Sequence, residues 1–185
     1  MKNPAHLLRT FVLIMTILAV STELPAAVAP KNGGASGTAR QIDWDTLLPE
    51  KERANYNPAP PPPIHSYLGE GDPAALQTGS FAANPQLDGM RVKVPGFVVP
   101  LERSKDGLLS EFFLVPYFGA CIHVPPPPPN QIVYVKMRSG AGLRSIEDAM
   151  WVTGILHIAS KSTSLGSASY TLDGEKLEVY EYHNP

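Results

Sequence analysis

A period of two in the side chains begins at Arg91 and predicts a β-strand. Val92, Val94 and Val98 alternate with Arg91, Lys93 and Phe97, and they share one face of an extended chain because successive side chains point to opposite faces. Pro95-Gly96 interrupts the run and predicts a bend in the strand. Residues 104–107, Ser-Lys-Asp-Gly, form a turn signal, and the largely apolar segment from Glu111 to Val115 follows it. The pattern therefore predicts a hairpin whose first strand is bent.

Further short apolar runs predict three more strand regions. Residues 132–136 and 149–159 are each long enough for one strand, and Gly154 indicates a bend in the second. Residues 170–172 and 176–182 are predicted to form a final hairpin across Asp173-Gly174, a favourable type I′ turn pair. We expect a mostly β fold, a small antiparallel OB-like barrel with one or two short helices, of which one lies at residues 145–149. A β-sandwich is the alternative architecture.

The pattern changes to helical spacing before the first strand. Trp44, Leu47 and Leu48 lie at i, i+3 and i+4, with Asp43 as a candidate N-cap and Pro49 as a stop, which predicts one or two helical turns docked on the domain. Residues 57–63 are rich in proline and predict an extended polyproline II arm. We therefore divide the chain into residues 30–63, a spacer, short helix and proline-rich arm, and residues 64–185, a single β-barrel domain.

The first 29 residues have the composition of a secretory signal peptide. Lys2 and Arg9 flank a polar start, an apolar run covers residues 11–20, and small residues allow cleavage after Ser21 or after Ala29. The apolar run is shorter than the roughly 20 residues of a spanning helix, although an uncleaved anchor is the alternative. The sequence thus predicts export to the periplasm. We expect no stable lipid anchor, because a lipoprotein needs a cysteine at its processing point and the single cysteine is Cys121.

Charge and cysteine content limit the classes of partner that the protein can bind and the roles that its cysteine can have. The formal net charge is -2, and removal of the predicted signal, which contributes +1, leaves -3. Nucleic acid is an unfavourable partner for an acidic domain, since its phosphates require a basic surface. One cysteine cannot form an internal disulfide, so Cys121 is either a packed small side chain or a functional thiol.

Cys121 and His123 form the strongest candidate site. In an extended backbone, residues two apart point the same way, and thiolate with imidazole is a donor pair that zinc and copper prefer. Two ligands are too few for a closed zinc site, so His157, His65, His183 or a carboxylate would have to complete it, with His157 the first candidate. Alternatively, His123 activates Cys121 in a thiol-dependent enzyme or redox protein.

A proline run follows this pair and suggests a scaffold. Residues 125–129 are five consecutive prolines, which lack backbone donors and form a rigid rod with free carbonyls. The rod would hold the Cys-His loop in place, or it would present an edge to a partner. In the second case the domain would be a protein-interaction module without metal. Motifs of the common enzyme classes are absent from the sequence. We therefore leave enzymatic activity open and favour a non-enzymatic role.

The string EFFLVPYFGACIHVPPPPPNQIVYV, with VPGFVVPLE before it and WVTGIL after it, resembles a family of bacterial exported proteins known as DUF3299. The resemblance covers residues 42–182 and implies that some members accompany ABC-type transporters linked to metal supply. It implies a periplasmic accessory protein that binds a transition metal, zinc in the first place, or docks on a membrane transporter component. The positions that the resemblance marks as distinctive are Gly119, Cys121, His123, Pro125, Pro126, Pro127, Pro128, Asn130 and Gln131.

Overall fold

The computed structural model describes residues 37–56, 77–121 and 126–181. The strands are β1 Arg40–Gln41, β2 Met90–Arg103, β3 Leu109–Val115, β4 Val133–Ala141, β5 Ala149–His157, β6 Lys161–Thr163, β7 Gly166–Ala168 and β8 Tyr170–Val179. The helical elements are one short α-helix, α1 Glu50–Arg53, and the 3-10 turns Trp44–Leu47, Pro85–Leu87 and Pro129–Gln131. Among the helices that the structure describes, none is long and apolar enough to cross a membrane.

Five strands close into a barrel. Around the ring, β2 pairs with β3, β3 with β4, β4 with β8, β8 with β5, and β5 with β2. All of these pairs are antiparallel except β4–β8, which is parallel. This five-stranded Greek-key barrel is of the OB type, which confirms the predicted mostly β barrel and dismisses the sandwich. The expectation of a wholly antiparallel ring was wrong at the single β4–β8 seam.

Strand β2 is bent because it belongs to both sides of the barrel. Residues Met90–Phe97 pair with β5, and the strand then pairs with β3 from Phe97 onward. Gly96 lies at this changeover, and a β-carbon there would be 2.7 Å from the Val115 carbonyl oxygen and 2.9 Å from Cζ2 of Trp44. The bend predicted at Pro95-Gly96 is therefore confirmed, and glycine is required for close packing.

The hairpin predicted across Asp173-Gly174 was wrong. Strand β8 runs without a turn from Tyr170 to Val179, pairing with β4 on one side and β5 on the other. The register between β5 and β8 shifts between Thr153 and Gly154, which pairs with Gly174. A β-carbon at Gly174 would lie 2.4 Å from Sδ of Met137. A glycine needed for close contact was thus mistaken for a turn glycine.

Two further local predictions need correction. Residues 145–149 form a turn and the start of β5, without a helix. The helical region at 44–53 does not stop at Pro49, because Pro49 is the N-cap of α1, and the side chain of Asp43 makes no capping hydrogen bond. The small hairpin of β6 and β7 had no recognised sequence signal.

The residues before the barrel contribute to its core. Ile42, Trp44 and Leu47 are buried among side chains from the barrel strands, and Leu47 is fully inaccessible. We call the following set the inner core: Ile42, Trp44, Leu47, Leu87, Val92, Val94, Val98, Leu109, Phe112, Leu114, Val133, Val135, Met137, Met150, Val152, Leu156, Tyr170 and Leu172. Burial of this apolar surface is the main favourable term in folding.

A second group of buried side chains lies outside the barrel. We call it the outer cluster: Val99, Phe113, Val115, Ala120, Ile132, Tyr134 and Ala168. Its strand residues alternate with those of the inner core, as Phe113 does between Phe112 and Leu114, so they face the opposite side of the sheet. The chain segments around Ala120 and Ala168 therefore cover the outer faces of β3 and β4.

Gly154 offers a test of how closely β5 and β8 approach. In Gly154→Ala the new methyl group would lie 2.3 Å from the Asp173 carbonyl oxygen and 2.5 Å from Cδ2 of Leu172, so we expect a loss of about 3 kcal/mol in the free energy of unfolding. Urea unfolding measures this loss. Gly142→Ala is the matched control, because nothing lies within 4 Å of its β-carbon, and it should change stability by less than about 0.5 kcal/mol. Equal stability of both variants would contradict the packing.

Candidate functional site around Cys121

Most of the predicted site residues lie in the described part of the chain. Gly119, Cys121, Pro126, Pro127, Pro128, Asn130, Gln131 and His157 are described. His123 and Pro125 fall outside the described residues, as do the candidate ligands His65 and His183. The pairing of Cys121 with His123 therefore remains a prediction.

Cys121 has an unusual backbone conformation. Its φ is 65°, and it is the only non-glycine residue with positive φ in the described ranges. Side chains with a β-carbon are strained there, at a cost of about 1–3 kcal/mol, and such strain is concentrated at functional sites. Gly119, two residues earlier, has φ 83° and turns the chain without that cost.

Cys121 is half-buried in apolar surroundings. It packs against the outer cluster together with Tyr117 and Leu165, and it forms no disulfide. Burial raises the pKa of the Cys121 thiol to about 12. Burial, and after it the charge of Cys121, also raises the pKa of Tyr117. The thiol is accordingly protonated near neutral pH, the opposite of an activated nucleophile.

The Cys121 segment lies on the barrel face that OB folds commonly use for binding. In that fold the second and third barrel strands carry the ligand-binding face, and here those strands are β3 and β4. Ala120, Ile132 and Ala168 pack on their outer side chains, with Cys121 beside them. The chain's own loops thus occupy this face and hold the sulfur there.

The proline run is fixed at its carbonyl groups, as expected for residues without a backbone donor. Gln77 donates from Nε2 to the Pro127 carbonyl over 2.8 Å, and the amide of Ser169 donates to the Pro129 carbonyl over 2.8 Å. Pro127 and Pro129 are buried, and Pro128 is exposed. The described prolines are therefore anchored to the rest of the fold, as a scaffold would be.

Asn130 and Gln131 bind the barrel to the segment that precedes it; we call this pair the amide clamp. Asn130 donates from Nδ2 to Oε2 of Glu52 over 2.8 Å and to the Ala82 carbonyl over 3.0 Å. Gln131 donates from Nε2 to the Trp44 carbonyl over 3.0 Å. Both side chains are buried, so the two polar residues at the end of the motif have a structural role.

Tyr170 and Asn84 complete the attachment of the same segment. The Tyr170 hydroxyl donates to the Leu47 carbonyl over 2.5 Å and accepts from the Asn84 amide over 2.6 Å. Asn84 donates from Nδ2 to the Thr46 carbonyl over 2.9 Å. Sequence reasoning missed both residues, because no local pattern indicates a partner about 40 or more positions away.

His157 lies at the end of β5, where its Nε2 is 3.7 Å from a carboxylate oxygen of Asp173. Within residues 37–56, 77–121 and 126–181, no three histidine, cysteine, aspartate or glutamate side chains form a group that could hold a metal ion. Any metal at Cys121 would therefore need ligands from outside these ranges.

Comparison with known proteins identifies the relatives of this fold. Residues 44–179 match the family described as "Protein of unknown function (DUF3299)". The chain belongs to the DUF3299 family. A solved structure of a DUF3299 family protein from Pseudomonas aeruginosa PAO1 is 45% identical, with a TM-score of 0.67, and the match covers 80% of this chain and all of that one. The DUF3299 match begins at Trp44, so the clamped segment is included in it.

Two other comparisons add nothing on function. The structure of a putative aspartyl-tRNA synthetase from Leishmania major Friedlin is 13% identical, with a TM-score of 0.35, over 64% of this DUF3299 chain and 23% of that chain. That similarity is too low to support an inference. No curated protein matches the chain significantly.

The amide clamp of this DUF3299 domain can be tested by charge. In Asn130→Asp, a carboxylate would replace a donor that lies 2.8 Å from Oε2 of Glu52. We expect Asn130→Ala to lose about 1–3 kcal/mol of stability, and Asn130→Asp to lose about 1 kcal/mol more near pH 7 from like-charge repulsion. The measurement is urea unfolding of both variants across pH.

The pH dependence distinguishes repulsion from simple loss of a bond. Repulsion raises the pKa of one carboxyl in the folded Asp variant above its unfolded value of about 4. The additional loss of stability in Asn130→Asp, relative to Asn130→Ala, is then absent below about pH 4 and grows as the pH rises. A difference between the two variants that does not change with pH would contradict a direct contact with Glu52.

Proposed function

We propose that this protein is an exported, non-enzymatic accessory protein of the periplasm that binds a thiophilic transition metal ion through Cys121 and His123. Zinc is the first expectation and copper the second, because both accept thiolate and imidazole ligands. The metal would be delivered to, or taken from, a membrane transporter component. The predicted signal segment at residues 1–29 and the spacing of Cys121 and His123 support this assignment.

The backbone strain at Cys121 is the observation that carries the proposal. Glycine would adopt a φ of 65° without steric cost. A strained cysteine on the binding face of the barrel therefore indicates that its sulfur has a use. Packing alone would be a weak reason to keep a cysteine here, because the side chain is small and only half-buried and so contributes little apolar surface to the core.

The environment of the sulfur favours metal ligation over thiol catalysis. A nucleophilic thiol needs a depressed pKa, usually from a nearby positive charge, whereas burial raises the pKa of Cys121 to about 12. A metal ion can displace the proton that such an environment retains, because ligation itself deprotonates the thiol. The apolar neighbours from the outer cluster would limit access of water to the site.

The coordination number bears on which metal is bound. Structural zinc sites have four protein ligands, and the described residues offer no group of three ligand side chains around Cys121. With His123 the pair offers two ligands, so further positions stay open for a partner protein or for residues beyond the described ranges. An incomplete ligand set suits a protein that transfers its metal, and it is the reason for testing copper beside zinc.

Elemental analysis of the mature protein is the direct test. The full chain is exported in its native form and purified from the periplasm without chelators or an affinity tag, beside Cys121→Ser and His123→Ala. We expect near-stoichiometric zinc or copper in the parent and a loss of at least about tenfold in affinity in each variant, since each removes one ligand. Reconstitution with zinc and with monovalent copper is carried out for all three proteins.

His157→Ala is the matched control, because this imidazole faces Asp173 and should not alter metal content. Cys121→Gly adds a second readout: it removes the ligand and the backbone strain together, so it should be metal-free yet more stable than Cys121→Ala by about 1 kcal/mol. Two outcomes would dismiss the proposal: a parent protein that takes up neither zinc nor copper, or a Cys121→Ser variant that retains the metal content of the parent.

A further inference from the structure

A groove rich in aromatic side chains crosses the barrel surface, and Cys121 is not among its described lining residues. Three adjoining depressions form it: Tyr180 lines the first and the second, and Trp44 lines the second and the third. We call it the aromatic groove and define it by Trp44, Tyr56, Pro95, Phe97, Trp151 and Tyr180.

The strands generate the floor of this groove. Lys93, Pro95 and Phe97 are alternate residues of β2 and face outward. The neighbouring residues Val92 and Val94 have the opposite orientation and belong to the inner core. Strand β5 sets Trp151 opposite Pro95 in register. Trp151 stacks on Tyr180 with 4.9 Å between ring centroids. The result is a continuous row of rings and a proline along one side of the barrel.

Exposed apolar side chains border the row. Phe118 is 46% exposed and packs edge-on against Phe97, and Val179 in the first depression is 45% exposed. An apolar surface of this kind with a polar rim is typical of an interaction site. The arrangement therefore favours a binding role for the groove.

The charges around the groove are mainly negative. Asp43 and Asp45 line one end, Glu178 and Glu181 line the other, and the one basic side chain in the lining is Lys93. Lys93 is 3.6 Å from Glu178 and lies over the Trp151 ring. Among the described residues, neither Asp43 nor Asp45 forms an ion pair with a basic side chain. Asp45 accepts a hydrogen bond from the Thr46 hydroxyl over 3.3 Å, and Glu178 also pairs with Lys176 over 2.8 Å. The excess of carboxylates over basic side chains in the lining gives the groove complementarity to a cationic partner.

We propose that the aromatic groove binds a proline-rich polypeptide segment of a partner protein, in polyproline II conformation and flanked by basic residues. Grooves lined by aromatic rings are the surfaces that recognise such segments, whose conformation is already ordered before binding. From Lys93 to Phe97 the strand spans about 13 Å, which corresponds to about four residues of polyproline II. A flanking arginine or lysine would reach Asp43 and Asp45.

Tryptophan signals provide a test without mutation. The chain contains two tryptophans, Trp44 and Trp151, and both line the groove. The full-length mature protein is labelled with nitrogen-15 at tryptophan and titrated with an oligoproline peptide that carries an arginine at each end. We expect both indole N–H signals to shift with one common dissociation constant.

Control peptides separate the two parts of the recognition. An oligoproline with glutamate at each end keeps the conformation and reverses the charge, and a glycine-serine peptide with terminal arginines keeps the charge and loses the conformation. Each should bind at least about tenfold more weakly. Equal binding of the glycine-serine peptide would show charge attraction alone and overturn the proposal.

Variants locate the site. Trp151→Ala and Asp45→Asn should each weaken binding of the arginine-flanked peptide, by about tenfold and about threefold, with circular dichroism confirming the fold. Phe81→Ala is the control, as Phe81 is 55% exposed and outside the groove lining. Absence of any indole shift, shifts produced by a chitin oligosaccharide but not by the peptide, or unchanged affinity in Trp151→Ala would each overturn the proposal. Metal content does not enter this test, so its outcome is independent of the proposed metal site.

Discussion

Buried hydrogen bonds from side chains to the main chain of residues 44–47 are the constraint on which the rest of the structure depends. A short helical segment cannot satisfy all its own carbonyl groups, and three of the carbonyls here accept from Gln131, Asn84 and Tyr170. An unpaired buried carbonyl would cost about 1–3 kcal/mol. These bonds therefore fix Trp44 and Leu47 in the inner core of the barrel.

Both proposed sites border the segment that is held in this way. Tyr56, which lies beyond that segment on the other side of α1, is close enough to Tyr117 for their charges to interact. Burial, then the charge of Asp45, then that of Tyr117 raise the pKa of Tyr56 to about 12. Tyr117 in turn neighbours Cys121. On the other side, Trp44 forms part of the aromatic groove. The clamp thus connects the sulfur of the proposed metal site and the proposed binding groove through one short stretch of chain, although the two proposed sites have no defining residue in common.

The sequence predicted what depends on local pattern and missed what depends on distant contacts. The period of two from Arg91 identified β2, because burial of one strand face leaves that period, and the largely apolar segment 111–115 identified β3. The Asp173-Gly174 pair led to a wrong prediction of a turn. The same dipeptide favours a turn in a hairpin, but here its glycine permits a close contact within a continuous strand. The parallel seam between β4 and β8 joins segments over 30 residues apart, and nothing local encodes it. Cys121 was identified from its chemistry, but its positive φ and its burial follow from packing that no periodicity reveals.

Hydrogen exchange in Gln131→Leu tests the central role of the clamp most directly. Leucine retains the apolar volume but leaves the Trp44 carbonyl without its donor. We expect faster amide exchange in residues 42–56 and 117–121, with β3 and β4 unchanged. The exposed control Gln86→Leu should behave as the parent. Unchanged exchange in those two segments, or a uniform increase over the whole barrel, would contradict the central role of the clamp.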